Sequence, residues 1–247
     1  MSLEQASGVI LRTRLLTDTS LIVHWLTPTL GRLATVAKGA RRPKSPFRGK
    51  LDLFYEAEFS FQRSRRSDLH TLREVVLTDT HPALRTDLAQ LRQAAYATLL
   101  IEVATETEAP LGAAPALFRE LLASLGGGPV PHRLLAFELK LLADLGFQPD
   151  LAGSRLSPGA QKIGQALTDL PFAELGRIRL TPAQLTELAR FLGGFIAYHL
   201  GRVPAGRAEV LGRCADAGPT TRGETVVGRS GNGVLEGRGA NNAAETR

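Results

Sequence analysis

LDLFYEAEFSFQ, residues 51–62, sets Leu51, Leu53, Tyr55, Ala57, Phe59 and Phe61 against Asp52, Phe54, Glu56, Glu58, Ser60 and Gln62. Alternation with period two predicts a strand with one face in a core and the other toward water. Reading outward, ASGVILRTRLL (6–16), TSLIVHWLT (19–27), GRLATVAKGA (31–40) and LHTLREVVLT (69–78) are further β-rich runs, separated by short polar or Gly/Pro breaks. Pro28-Thr29-Leu30-Gly31 reads as a hairpin turn. Five strands within about 75 residues, with one long loop between the third and fourth, predict a small closed or partly open barrel of the oligonucleotide-binding (OB) type.

After His81-Pro82 the period becomes helical. Leu84, Leu88, Leu91, Ala95, Leu99 and Val103 recur at spacings of three and four, predicting a helix over 83–105 with these residues as its apolar stripe. Further helices are predicted over 115–125 and over 131–145. The second of these is apolar on two faces and is closed by Gly146. Ser157-Pro158 reads as a short helix start. Thr181-Pro182-Ala183-Gln184 reads as a capping box opening a helix to about Leu200, and close packing or a kink is expected at Gly193-Gly194. From Arg213 onward seven glycines and no apolar periodicity predict a disordered tail. The expected class is α+β: an N-terminal five-stranded OB-fold barrel over 1–80, an all-α helical domain over 81–212, and a Gly-rich tail over 213–247.

Charge is uneven along this frame. Residues 1–80 carry 13 basic against 8 acidic side chains, whereas 81–212 carry 12 of each. KGARRPKSPFRGK, residues 38–50, holds six of the cations with no carboxylate, and its two prolines and two glycines keep it out of regular structure. Such a field on an otherwise neutral body points to a polyanion, because it attracts phosphates and releases their counterions. The candidate DNA-binding residues are Arg32, Lys38, Arg41, Arg42, Lys44, Arg48, Lys50, Arg63, Arg65 and Arg66. Arg12 and Arg14 share the parity of Ile10, and Phe47, Phe54 and Tyr55 are candidate stacking surfaces, Tyr55 having the parity of the core. If one barrel carries all of these, the two loops and one sheet face would form a continuous positive groove. The plain alternatives are a solvated surface loop and an anionic membrane surface.

Catalysis finds no support in the sequence. It has no Walker loop, dinucleotide fingerprint, H-E-x-x-H or G-x-S-x-G, and the five histidines lack ligand spacing. One cysteine, Cys214, excludes an intramolecular disulfide. Neither a leader nor a membrane-spanning run is readable, so a soluble, cytoplasmic and nucleoid-associated protein is expected.

GVILRTRLLTDTSLIVHWLTPTLGRLATVAKGARRPKS (8–45), with its most specific part GRLATVAKGARRPKS, resembles the N-terminal domain of the bacterial recombination mediator RecO family. FELKLLADLGFQPDL (137–151) and FIAYHLGR (195–202) extend the resemblance to about residues 6–212. It implies an OB-fold followed by helices. It also implies a non-enzymatic DNA repair function: binding single- and double-stranded DNA, annealing complementary strands, and cooperating with RecR and the single-stranded DNA-binding protein SSB to load RecA. Lys38, Arg41, Arg42 and Lys44 match the family's motif directly, whereas Arg48, Lys50 and the Arg63–Arg66 stretch rest on charge and position. The resemblance further implies a pocket for the SSB C-terminal tail, for which Arg133 and Lys140, two helical turns apart and flanking Leu134 and Phe137, are the candidates; the solvated edge of a packed helix is the alternative. Many family members hold zinc with four cysteines after the L-G-[FY]-x-P-x-L stretch. LADLGFQPDLAGSRLSPGAQK has none, so no metal or other cofactor is expected. The other readings left open are an OB-fold RNA-binding protein and a nuclease with a concealed carboxylate site.

Overall fold

The computed structural model describes residues 3–126 and 130–212; the predicted tail lies outside the described residues. Five strands, β1 (Leu3–Leu15), β2 (Leu21–Thr27), β3 (Gly31–Ala37), β4 (Glu56–Gln62) and β5 (Leu69–Asp79), close into a barrel in the order β1-β2-β3-β5-β4. All neighbours are antiparallel except β3 and β5. The predicted hairpin turn is present, held by Thr27, whose hydroxyl donates to the Gly31 carbonyl and accepts from the Leu30 amide. Inside the barrel Trp25 stacks on Phe59 at 4.0 Å between ring centroids and donates its indole N–H to Thr35 Oγ1 at 2.9 Å. Phe59, Phe61 and His70 continue the aromatic column.

The sequence misreads two details of the strands. Regular pairing in β4 begins at Glu56 rather than Leu51, because Phe54 takes a left-handed conformation (φ 64°) that ends the alternation. A bulge between Ile10 and Arg12 breaks the parity of β1. Ile10 faces the barrel interior, Val9 and Leu11 join the helical core, and Arg12 turns outward beside His24.

The remainder is helical: α1 (Leu88–Ala104), α2 (Ala114–Leu125), α3 (Pro131–Asp144), α4 (Pro158–Asp169), α5 (Pro182–Leu200) and α6 (Arg207–Leu211). Pro82–Arg85 is a separate 3₁₀ turn, and Asp87 caps α1 by accepting from Ala89 and Gln90. The predicted apolar stripe is not the face α1 buries. Leu88 is 61% exposed, while Gln90, Gln93, Ala94, Ala97, Leu100 and Ile101 are buried. The helix is sandwiched between the outer wall of the barrel and the other helices, so the tertiary environment, not the stripe, fixes its rotation. α3 is the central helix, its residues 134–137, 139, 141 and 142 all buried. Gly146 (φ 82°) ends it, with Phe147 donating to the Leu142 carbonyl as in a Schellman closure. The Ser157 cap and the Thr181/Gln184 capping box form as the sequence predicts.

Barrel and helices share one core. Val9, Leu11, Leu26 and Phe54 cluster with residues of α1 to α6, and Phe54 meets Phe118 edge-on at 6.3 Å. The joint is completed by the segment after α1. Thr107 bridges Arg32, the Glu108 amide donates to the Arg32 carbonyl at 2.7 Å, and Ala109 runs directly over Gly31.

Candidate nucleic-acid interface

The polypeptide from Lys38 to Lys50 folds as consecutive turns rather than a loose loop. Arg42, Ser45, Arg48 and Lys50 donate their amides to the carbonyls of Gly39, Arg42, Ser45 and Phe47, each three residues back. Two apolar side chains, Ala40 and Phe47, turn inward and plug the end of the barrel. The segment is also stitched to the β1–β2 turn: Arg41 donates its amide to Thr19 O and its guanidinium to Asp18 O, and the Gly39 amide donates to Ser20 Oγ. With its apolar residues consumed inward, the segment leaves Lys38, Arg41, Arg42, Lys44 and Arg48 exposed at one end of the barrel. Arg41, Arg42 and Arg48 rim a groove whose remaining lining includes Leu21, Ala40, Pro43, Phe47, Leu51 and Tyr55.

The other sequence candidates are distributed differently. Lys50 reaches under the segment, its Nζ donating to Val75 O at 3.1 Å, so it pins the loop rather than offering a free charge. Arg32 is drawn into the joint, where it donates to Thr105 Oγ1 and to the Thr105 and Glu102 carbonyls; burial pulls its pKa below the ordinary value, against the influence of Glu102. Arg63 is held by Glu4 in a two-pronged pair (2.8 and 3.0 Å) and by Glu108 at 2.8 Å. Its hydrogen bonding to Glu4 raises its pKa. Arg65 and Arg66 are exposed, but at the far end of β3, since Leu69 pairs with Ala34 while the basic segment leaves β3 after Ala37. The expected continuous groove is therefore divided. The strand order places the β3–β4 and β1–β2 loops at one end and the β4–β5 loop at the other.

Sheet faces are likewise claimed. Arg12 pairs with Glu102 of α1, and the open wall formed by β1, β4 and β5 carries Glu58 and Glu74 beside Gln5 and Val76. Carboxylates on that wall repel a phosphate chain, which leaves the cationic end as the favourable approach. Two of the three candidate stacking surfaces are core residues: Phe47 is 6% exposed and Phe54 2%. Tyr55 is half-buried at the groove with Arg85 over its ring at 4.8 Å.

In the helical part, Arg133 lines a pocket with Glu120, Ala123, Ser124, Pro171, Phe172 and Ala173, and Lys140 lies 5.9 Å from the Phe172 ring, donating to Thr168 O at 2.6 Å. Leu134, Phe137 and Phe172 are all buried and Arg133 is 8% exposed, so the apolar surface beside these cations comes from Pro171, Ala173 and Ala123. Burial lowers the pKa of both Arg133 and Lys140. After α3, where zinc-binding relatives place cysteines, Asp150 accepts from the Gly153 amide and Ser154 donates to Leu151 O in a compact turn; with no thiolate or imidazole there, the residues do not fit a zinc site.

Sequence reasoning missed Glu4, Glu102 and Glu108, which consume arginines read as free. It also missed the exposed pair Leu15 and Leu16 at the β1–β2 turn.

The family model for the N-terminal part of recombination protein O matches residues 1–81, and the model for its C-terminal part matches 88–154 and 151–208. The chain is similar to the DNA repair protein RecO of Symbiobacterium thermophilum, 37% identical over 155 residues covering 62% of this chain and 60% of that protein. It is also similar to the DNA repair proteins RecO of Pelotomaculum thermopropionicum (26% over 235 residues, 82% and 91%) and Moorella thermoacetica (28% over 242 residues, 83% and 89%).

Proposed function

This chain belongs to the recombination protein O (RecO) family, and we propose that it serves DNA repair by holding DNA strands on the cationic end of its barrel, annealing complementary strands and helping to load RecA onto SSB-coated DNA. The observation that carries this reading is the set of five exposed cations, Lys38, Arg41, Arg42, Lys44 and Arg48, on a hydrogen-bonded segment whose apolar residues are buried beneath them. Charges displayed on irregular backbone can follow a phosphodiester chain without reading bases, the grip expected of a protein that must act on any sequence. Annealing brings two polyanions together, and neutralising their phosphates removes the main barrier. No bond is made or broken in this account, so the protein acts as a mediator rather than an enzyme.

Partners are assigned on the same footing. The pocket lined by Arg133, Pro171 and Ala173 is assigned to the acidic, phenylalanine-ended tail of SSB on its cation and its apolar lining, with Glu120 on the same lining working against the tail's carboxylates. RecR is the expected co-mediator. Arg65 and Arg66, at the other end of the barrel, are an auxiliary contact for the far portion of a duplex.

Affinity for a single-stranded oligonucleotide across a salt series tests the central part. With about five phosphates neutralised, log K falls against log salt with a slope of about −3.5. A slope near zero, or a marked preference for structured RNA, would contradict the proposal.

A further inference from the structure

Among the described residues, helices cover one side of the barrel and leave another bare. Val9, Leu11 and Leu26 pack into the helical core, while the wall of β1, β4 and β5 stays open, with Leu3 66% and Val76 63% exposed. Strand pairing fixes the order of side chains on this wall: Ser7, Glu58 and Val76 form one row, and Gln5, Ser60 and Glu74 the next. Ala57, Phe59 and Phe61 belong to the barrel core, so Glu58 and Ser60 point outward. Ser60, small and buried, lies in a hollow of about 380 Å³ with Gln5, Glu58, Glu74 and Val76 around it. Glu58 and Glu74 are diagonal neighbours, roughly 7–8 Å apart. Among the described residues neither carboxylate has a hydrogen bond or an ion pair. That spacing is too wide for one metal ion, whose oxygen ligands lie at about 2.0–2.6 Å. It suits a guanidinium or ammonium group set between them, with its aliphatic stem on Val76. Asp79, half exposed although it accepts the His81 amide, adds a third carboxylate on β5. The opposing charge, Arg73, is bonded to Gln62 Oε1, toward the Leu3 end of the wall.

Cations of the required kind are on the chain itself. Lys38, Arg41, Arg42, Lys44 and Arg48 are displayed on hydrogen-bonded turns. Of the carboxylates near them, Asp52 is taken by Arg85 at 2.7 Å, and Asp18 is exposed beside Arg41. The segment is stitched to the β1–β2 turn and pinned by Lys50, so the wall it can reach is that of a second molecule. We propose that the wall of one molecule receives the Lys38–Arg48 segment of another, in a head-to-tail contact between copies of this chain. Such a contact is heterologous: each copy offers its segment to one neighbour and its wall to the next. The consequence for DNA rests on the DNA-binding reading above, because both partners use the same cations. Without DNA the cationic end is covered; a strand, with its denser negative charge, displaces the wall.

Sedimentation equilibrium of the full chain at rising concentration, at low salt and at about 1 M salt, reads the contact. The mean mass of the wild type should rise with concentration at low salt and stay monomeric at high salt. Glu58→Gln/Glu74→Gln and Arg41→Ala/Arg42→Ala/Lys44→Ala should each associate roughly tenfold or more weakly. An equimolar mixture of the two variants should nonetheless form a heterodimer, since one supplies the segment and the other the wall. All five positions are exposed, and the emission of Trp25, the single tryptophan and fully buried, checks that the variants fold. A single-stranded oligonucleotide short enough to hold one molecule should dissociate the wild-type assembly. A wild type that stays monomeric at low salt while binding the oligonucleotide would overturn this inference and leave the DNA-binding reading standing. Unchanged association of the Glu58/Glu74 variant, or no heterodimer in the mixture, would also overturn it. Association that behaves as described in a protein that binds no oligonucleotide would overturn the DNA-binding reading and leave the contact between copies in place.

Discussion

Arg207→Ala should lower the unfolding free energy by about 3–5 kcal/mol, the range expected when one partner of a buried ion pair is removed. Arg207 and Glu138 are 3% and 0% exposed. They meet through two hydrogen bonds of 2.7 and 2.9 Å, and Tyr96 donates its hydroxyl to the same carboxylate at 2.7 Å. Burial, reinforced by Glu138, raises the Tyr96 pKa, so this hydroxyl stays protonated as a donor. The three residues tie α1, α3 and α6 together, and without the guanidinium the buried carboxylate keeps the Tyr96 hydroxyl as its donor among the described residues. Gly193 belongs to the arrangement: a β-carbon there would lie 2.9 Å from Arg207 Nη1, whereas one at Gly194 meets nothing within 4 Å. Gly193→Ala is therefore destabilising, and Gly194→Ala is stabilising by up to about 1 kcal/mol through helix propensity. Urea unfolding followed by circular dichroism checks all three variants. An Arg207→Ala variant within about 0.5 kcal/mol of the wild type, as for a surface substitution, would contradict the account.

Gly31→Ala should cost roughly 2–4 kcal/mol, for two reasons that act at the same atom. The residue has φ +69°, and its β-carbon would sit 2.1 Å from the carbonyl oxygen of Ala109. The obstacle is main chain, held in place by the Thr107 and Glu108 contacts to Arg32, so it cannot swing aside as a side chain would. Gly39→Ala is the matched control. Its φ is +66°, but the nearest atom is Arg42 Cδ at 3.4 Å, so only the conformational penalty of about 1 kcal/mol applies. The difference between the two unfolding energies measures the barrel–helix joint. Equal losses would mean that the segment over Gly31 yields freely.

How much of this could be read from the sequence depends on whether the signal was local. Alternation in 57–61 and the basic run at 38–50 are local, and both strands and cationic segment stand where the sequence puts them. Alternation could not reveal that Phe54 turns left-handed or that β1 bulges after Ile10, because both are set by what the barrel must pack against. The rotation of α1 was illegible for a related reason: a helix buried between two layers needs no single stripe. Among the cations, the sequence could not separate free from engaged arginines. Arg63 finds its carboxylates 59 and 45 residues away, and Arg12 finds Glu102 at a separation of 90. Nor could it divide the basic residues between two ends of the barrel, since that follows from the parallel β3–β5 pairing, which leaves no mark on periodicity. The OB-fold itself was legible because five short strands and a change to helical period are visible without any long-range information.

The central claim is that DNA lies on the end of the barrel carrying Lys38 to Arg48. Annealing of two complementary oligonucleotides, bare or coated with SSB, tests it most directly, comparing the wild type with Arg41→Ala/Arg42→Ala/Lys44→Ala and with Arg65→Ala/Arg66→Ala from the opposite end. The account predicts fast annealing by the wild type, slowed by salt, lost in the triple variant and largely kept in the double one. Annealing by the triple variant at the wild-type rate, or its loss in the double variant alone, would contradict it.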